Sequence, residues 1–96
     1  MSKILTIDQG TTSSRSIIFD QNANIQASAQ EEYPLLFPND GWVEIQPDDL
    51  YHSVLNTLNQ LDLSEIKYAG ITNQRETTII WDRETHEPIY NAIVWQ

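Results

Sequence analysis

The sequence predicts a mixed α/β fold in which strands come first, one helix follows, and strands then return. Three observations carry this. Two short runs rich in β-branched residues, 4–7 (Ile-Leu-Thr-Ile) and 17–19 (Ile-Ile-Phe), flank a polar segment containing Gly10, the pattern of a hairpin. From Pro47 onward, apolar side chains recur at spacings of one, three and four, the pattern of a helix with one apolar face. Beyond that helix the apolar runs resume, so both antiparallel and parallel pairings are needed.

Each element follows from its residues. Gln21-Asn22-Ala23-Asn24 is a cluster of turn formers, and Ile25, Ala27 and Ala29 then alternate with polar side chains, predicting a third strand antiparallel to the second. Residues 33–41 hold two prolines and an Asn-Asp-Gly turn and read as a loop, with Trp42-Val43-Glu44 as a short extended piece beyond it. Pro47 suits the first helical position, and Asp48 and Asp49 fall where the helix dipole favours anions. Leu50, Tyr51, Val54, Leu55, Leu58 and Leu61 form a stripe expected to pack on the sheet, while His52 lies on the polar face as a surface histidine. Residues 66–72 predict a strand, 73–76 a polar break and 77–81 another strand. Residues 82–88 predict a charged turn and 89–95 a further strand or extended segment. Trp42 and Trp81 are expected to serve as packing.

Ninety-six residues allow one small domain at most. The last residues, Ala92-Ile93-Val94-Trp95-Gln96, are apolar and carry no stop signal, so the chain is expected to be the leading portion of something longer. Some of its apolar surface should then meet segments outside it, or self-associate in their absence. Five Lys and Arg against 14 Asp and Glu give a net charge of −9, which disfavours nucleic acid and anionic membranes as partners. The chain has no cysteine, no apolar run near the ~20 residues of a membrane span, and a first strand that begins almost at Met1. A soluble, cytoplasmic protein is expected.

The chemistry concentrates in Asp8-Gln9-Gly10-Thr11-Thr12-Ser13-Ser14-Arg15. Gly10 allows close backbone approach to a ligand, and Thr11, Thr12 and Ser13 add hydroxyls to the turn amides, which together could cradle a phosphate. Asp8, at the end of an apolar strand, could hold magnesium directly or through water. Taken alone, the same residues also fit an ordinary polar hairpin. The second candidate, Asn73-Gln74-Arg75-Glu76, reads from pattern alone as a solvated turn; yet a guanidinium offers only donors and a carboxylate only acceptors, a pairing suited to a polyol. Trp95 could lay an aromatic face against the carbon side of such a ligand.

Four stretches in order, IDQGTTSSRSIIFD, GWVEIQP, GITNQRETTIIWDRET and PIYNAIVWQ, resemble the N-terminal part of the FGGY carbohydrate kinases, and among them the members that phosphorylate glycerol. The resemblance covers more than half of the chain. It implies a ribonuclease H-like sheet of the actin and hexokinase ATPase type, with residues 1–96 forming an incomplete first domain. It also implies a parent enzyme that converts glycerol to sn-glycerol 3-phosphate with ATP and Mg2+, as a homo-oligomer. Carried onto this sequence, Thr11, Thr12, Ser13 and Arg15 would meet the nucleotide phosphates, and Thr11 also the product phosphate. Asp8 would lie by the magnesium, Arg75 and Glu76 would bind glycerol hydroxyls, and Trp95 would lie against the glycerol carbons. His86 departs from the family's usual glycine, and at positive φ it would carry a cost. The family's general base and adenine site lie outside these residues, so the 96 residues alone are expected to be inactive.

Other readings are a pentulose kinase of the same family, a non-catalytic sugar or nucleotide sensor, and a ribonuclease H-like nuclease. The hydroxyl-rich loop and acidic charge disfavour the nuclease, which needs clustered carboxylates on metals and a basic surface.

Overall fold

The computed structural model of the chain describes residues 2–73 and 77–94. A four-stranded sheet in the order β3-β2-β1-β5 forms its centre, from β1 (Lys3–Gln9), β2 (Ser13–Phe19), β3 (Ile25–Glu32) and β5 (Ile66–Asn73). β1, β2 and β3 form the expected antiparallel meander, and β5 returns parallel to β1. One helix, α1 (Pro47–Asn59), precedes β5, and a two-stranded sheet pairs β4 (Glu44–Ile45) with β6 (Ala92–Ile93). This is the mixed α/β class that the strand–helix–strand pattern predicts.

The hairpin strands run further than their apolar runs. Register extends from Ile4 opposite Phe19 to Gln9 opposite Ser14, so Ser13, Ser14 and Arg15 belong to β2 and only residues 10–12 turn. Burial explains why serines sit in a strand interior. Ser14 and Ser16 lie fully buried beneath α1, each within 2.7 Å of a helix hydroxyl, Ser53 and Thr57 respectively. A buried hydroxyl is tolerated where it is hydrogen-bonded.

The helix begins as the sequence requires, with Pro47 in its first turn, Asp48 and Asp49 beside it, and Gln46 extended at φ −70° and ψ 124°. Its buried side is not the expected stripe. Leu50, Ser53 and Thr57 are buried, Tyr51 and Leu55 are exposed, and Leu61 lies beyond the helix end. The helix lies over β2 and β3 and only reaches β1 at its margin. Its other apolar flank therefore faces an open cleft of about 640 Å³ over β1 and β5, walled by Tyr51, Val54, Ile7, Ile71, Ile79 and Trp81.

A compact core gathers Tyr33, Val43, Ile45, Leu50, Ala92 and Val94, with Leu35 against it. It joins the end of β3, the start of α1 and the small sheet. Glu44 is buried beside it, its carboxylate accepting from the Tyr90 hydroxyl at 2.6 Å and from Asn91 Nδ2 at 3.1 Å.

The later strands are shorter than expected. Within 77–81 only isolated bridges form, Thr78 with Ile93 and Trp81 with Pro88, and among the described residues 89–94 only Ala92–Ile93 is a strand. The charged turn between them is present, closed by the Asp82 amide on the Glu87 carbonyl at 2.8 Å and by Asp82 Oδ1 accepting the Glu84 and Thr85 amides. Trp42 and Trp81 do not pack inward; they are 54% and 64% exposed, because neither the loop of one nor the hairpin of the other has a layer over it. β5 is likewise uncovered, with Ile71 77% exposed at the sheet edge. Among the described residues no helix is long and apolar enough to cross a membrane.

Candidate functional site

The turn at residues 10–12 sits where two parallel strands end together. Asp8 pairs with Thr72 and Gln9 with Asn73, so β1 and β5 deliver the turn and the start of the polar break to one edge of the sheet. Ligands of open α/β sheets bind outside the carboxyl ends of such strands. Thr11 and Thr12 are exposed at this edge. Gly10 needs no left-handed backbone; its φ is not positive, but a Cβ there would lie 3.2 Å from the Ser13 carbonyl oxygen. That oxygen accepts the Gly10 amide at 2.8 Å, closing the turn. The glycine is therefore used for close approach of two backbone segments.

Asp8, Arg15 and Gln30 form a cross-strand row on the face away from α1, Asp8 opposite Arg15 and Arg15 opposite Gln30. Arg15 Nη2 donates to Gln30 Oε1 at 3.0 Å, and Gln30 Nε2 donates to Ser13 Oγ at 3.0 Å. Gln30 thereby holds Arg15 and Ser13 together, leaving the Ser13 hydrogen and most guanidinium donors available. Asp8 is exposed rather than held in a buried strand. The ion pair among the described residues is Lys3 with Glu65 at 3.7 Å, so the Asp8 carboxylate is not tied to Arg15. Among the described residues no cluster of three or more acidic, histidine or cysteine side chains could hold a metal.

Asp8, Thr11, Thr12, Ser13 and Arg15 are thus brought to one end of the hairpin. The other expected contacts, Arg75, Glu76 and Trp95, lie outside the described residues; Asn73, just before Gln74, ends β5 beside Gln9. Two residues carry no sequence signal for their places here. Gln30 is found only through strand register, and Tyr33, written as the start of a loop, donates its hydroxyl to the Gly10 carbonyl.

Residues 3–96 match the FGGY family of carbohydrate kinases, N-terminal domain. The chain belongs to the FGGY family of carbohydrate kinases. This FGGY chain is 57% identical over 99 residues to a glycerol kinase of Xylella fastidiosa (strain 9a5c), covering 97% of the chain and 20% of that protein. It is 54% identical over 102 residues to a glycerol kinase of Borrelia duttonii (strain Ly), covering 100% of the chain and 21% of that protein. The FGGY chain therefore spans about a fifth of the length of the curated relatives it matches. Its fold superimposes on Plasmodium falciparum glycerol kinase with ADP at a TM-score of 0.87 and 38% identity, over 99% of the chain and 20% of that structure. A xyloylose kinase from Brucella ovis shares the fold at a TM-score of 0.91 and 22% identity, over 97% of the chain and 21% of that structure. The hairpin meander, the parallel β5 and the intervening helix are thus the opening part of the actin- and hexokinase-like ATPase fold.

Proposed function

We propose that these residues are the N-terminal portion of the first domain of a two-domain kinase that phosphorylates glycerol to sn-glycerol 3-phosphate with MgATP. The observation that carries this reading is the pairing of Gln9 with Asn73, which sets the hydroxyl-rich turn beside the residue that leads into Gln74-Arg75-Glu76. The high identity to proteins named glycerol kinase supports glycerol over a pentulose. Thr11, Thr12, Ser13 and Arg15 take the nucleotide phosphates, and Thr11 also meets the phosphate of the product. Arg75 and Glu76 hold the glycerol hydroxyls, and Trp95 covers its carbons.

Asp8 fits a magnesium ion in one respect. Its carboxylate is exposed and unpaired, so it suits a cation whose other ligands are waters and phosphate oxygens. Bound there, the ion would offset phosphate charge. Arg15, steadied by Gln30, offers a fixed positive charge beside the turn in an otherwise acidic chain.

The general base and the adenine site belong to segments outside these residues, so the 96 residues alone do not turn over ATP. The open cleft beside α1 and the uncovered face of β5 receive the rest of the first domain, and an isolated chain self-associates through them. The parent is a cytoplasmic homo-oligomer. Calorimetric titration of the full-length parent with glycerol and with a pentulose tests the substrate: glycerol binding is expected, and binding of the pentulose alone overturns the reading. A coupled assay on the 96 residues tests their inactivity, and glycerol-dependent ATP turnover there would refute it.

A further inference from the structure

Tyr33 stands immediately after β3, at the start of a stretch whose prolines mark it as a loop, yet it is buried in the core with Val43, Ile45 and Leu50. From there it reaches the phosphate turn twice. Its hydroxyl donates to the Gly10 carbonyl, and its amide donates to the Thr12 carbonyl at 3.2 Å. We propose that Tyr33 is a positioning residue for the phosphate turn, pinning two of its carbonyls toward the core so that the opposite, ligand-facing side of the turn carries donors.

The reason lies in peptide geometry. In a trans peptide unit the C=O and N–H point in opposite directions, and the described chain has no cis peptide. Directing the Gly10 carbonyl at Tyr33 therefore turns the Thr11 N–H away from it. A turn free to rotate would at times present carbonyl oxygens to a polyphosphate, which repel it. Burial, and behind it the charge of Asp8, push the Tyr33 hydroxyl up to about 12, so it remains a donor throughout the neutral range. The ring is held by the core on the far side, so the constraint is set before any ligand arrives, and binding then loses less freedom.

The inference rests on the kinase reading, but its test separates the two. The full-length protein is compared with its Tyr33→Phe variant, which keeps the packed ring and removes only the hydroxyl. The Kd for MgADP is expected to rise about tenfold, equivalent to ~1.4 kcal/mol, while the Kd for glycerol stays within about twofold. Amide hydrogen exchange at Thr11 is expected to accelerate without a matching change at Val43 and Ile45. A role in packing alone would loosen the core amides and weaken both ligands together. Equal MgADP affinity in the two proteins overturns the proposal. An unaltered protein that binds MgADP but not glycerol would overturn the glycerol reading and leave the Tyr33 comparison standing; one that binds no MgADP would overturn both.

Discussion

Ser16 and Thr57 meet at 2.7 Å in the buried seam between β2 and α1, and Ser14 with Ser53 repeats the contact four helix residues earlier. Each helix hydroxyl also lies 2.7 Å from a carbonyl of its own helix, Thr57 on Val54 and Ser53 on Leu50. A hydroxyl has one hydrogen, so the helix hydroxyls donate to their own backbone and the sheet serines donate to them.

That direction makes the two partners unequal. Thr57→Val should strand the Ser16 donor in a buried site and cost about 1–3 kcal/mol, whereas Ser16→Ala leaves Thr57 bonded to Val54 and should cost roughly 1 kcal/mol or less. Urea unfolding of each variant checks the order, with equal costs counting against the assigned direction.

His86 is in the left-handed region at φ 64°, in the turn where its amide bonds to the Asp82 carbonyl at 2.9 Å. His86→Gly should raise the unfolding midpoint by the equivalent of about 1 kcal/mol, reduced in part by the greater freedom of glycine in the unfolded chain. His86→Ala serves as the control and should leave the midpoint nearly unchanged.

The Thr85 amide first, then the Glu84 amide, hold the Asp82 carboxyl below its ordinary 3.8. A carboxylate with a lowered folded value stabilises fully above its unfolded value and loses that contribution as pH falls through the folded one. The turn should therefore loosen only below about pH 4. Protection of the Glu84 and Thr85 amides, taken relative to intrinsic exchange at each pH of an acid titration, would show this, and Asp82→Asn should make that protection insensitive to pH.

At the alkaline end the hydrogen bond to the Glu44 carboxylate, then burial, raise the Tyr90 hydroxyl above its ordinary 10.0. Because the value is raised, this contribution is complete below pH 10 and disappears as pH climbs through the folded value. Glu44→Gln keeps an acceptor for Asn91 and removes the charge, so Tyr90 should titrate nearer its ordinary value. Ultraviolet titration of the phenols would show it, and an unchanged Tyr90 curve would separate the shift from Glu44.

The hairpin, the third strand, the helix start at Pro47 and the strand at 66–72 were legible from alternation, turn residues and the proline, because these signals act within a few residues. So were the Gly-Thr-Thr turn and its neighbouring Asp8 and Arg15, since the chemistry and the spacing both lie in one segment. The misplaced features share one cause. Which flank of α1 is buried depends on where the helix crosses the sheet, and it crosses over β2 and β3, where Ser14 and Ser16 make Ser53 and Thr57 the inward side chains. The exposure of Trp42 and Trp81 likewise depends on whether a layer covers them.

The sequence alone therefore determined the local elements, the family and the composition of the Gly-Thr-Thr turn. Tertiary structure decided what holds that turn. Register alone brings Gln30 between Arg15 and Ser13, and core packing alone brings the Tyr33 hydroxyl to Gly10, 23 residues away in the chain. Contacts over such separations are fixed by pairing and burial, which no local pattern of residues encodes.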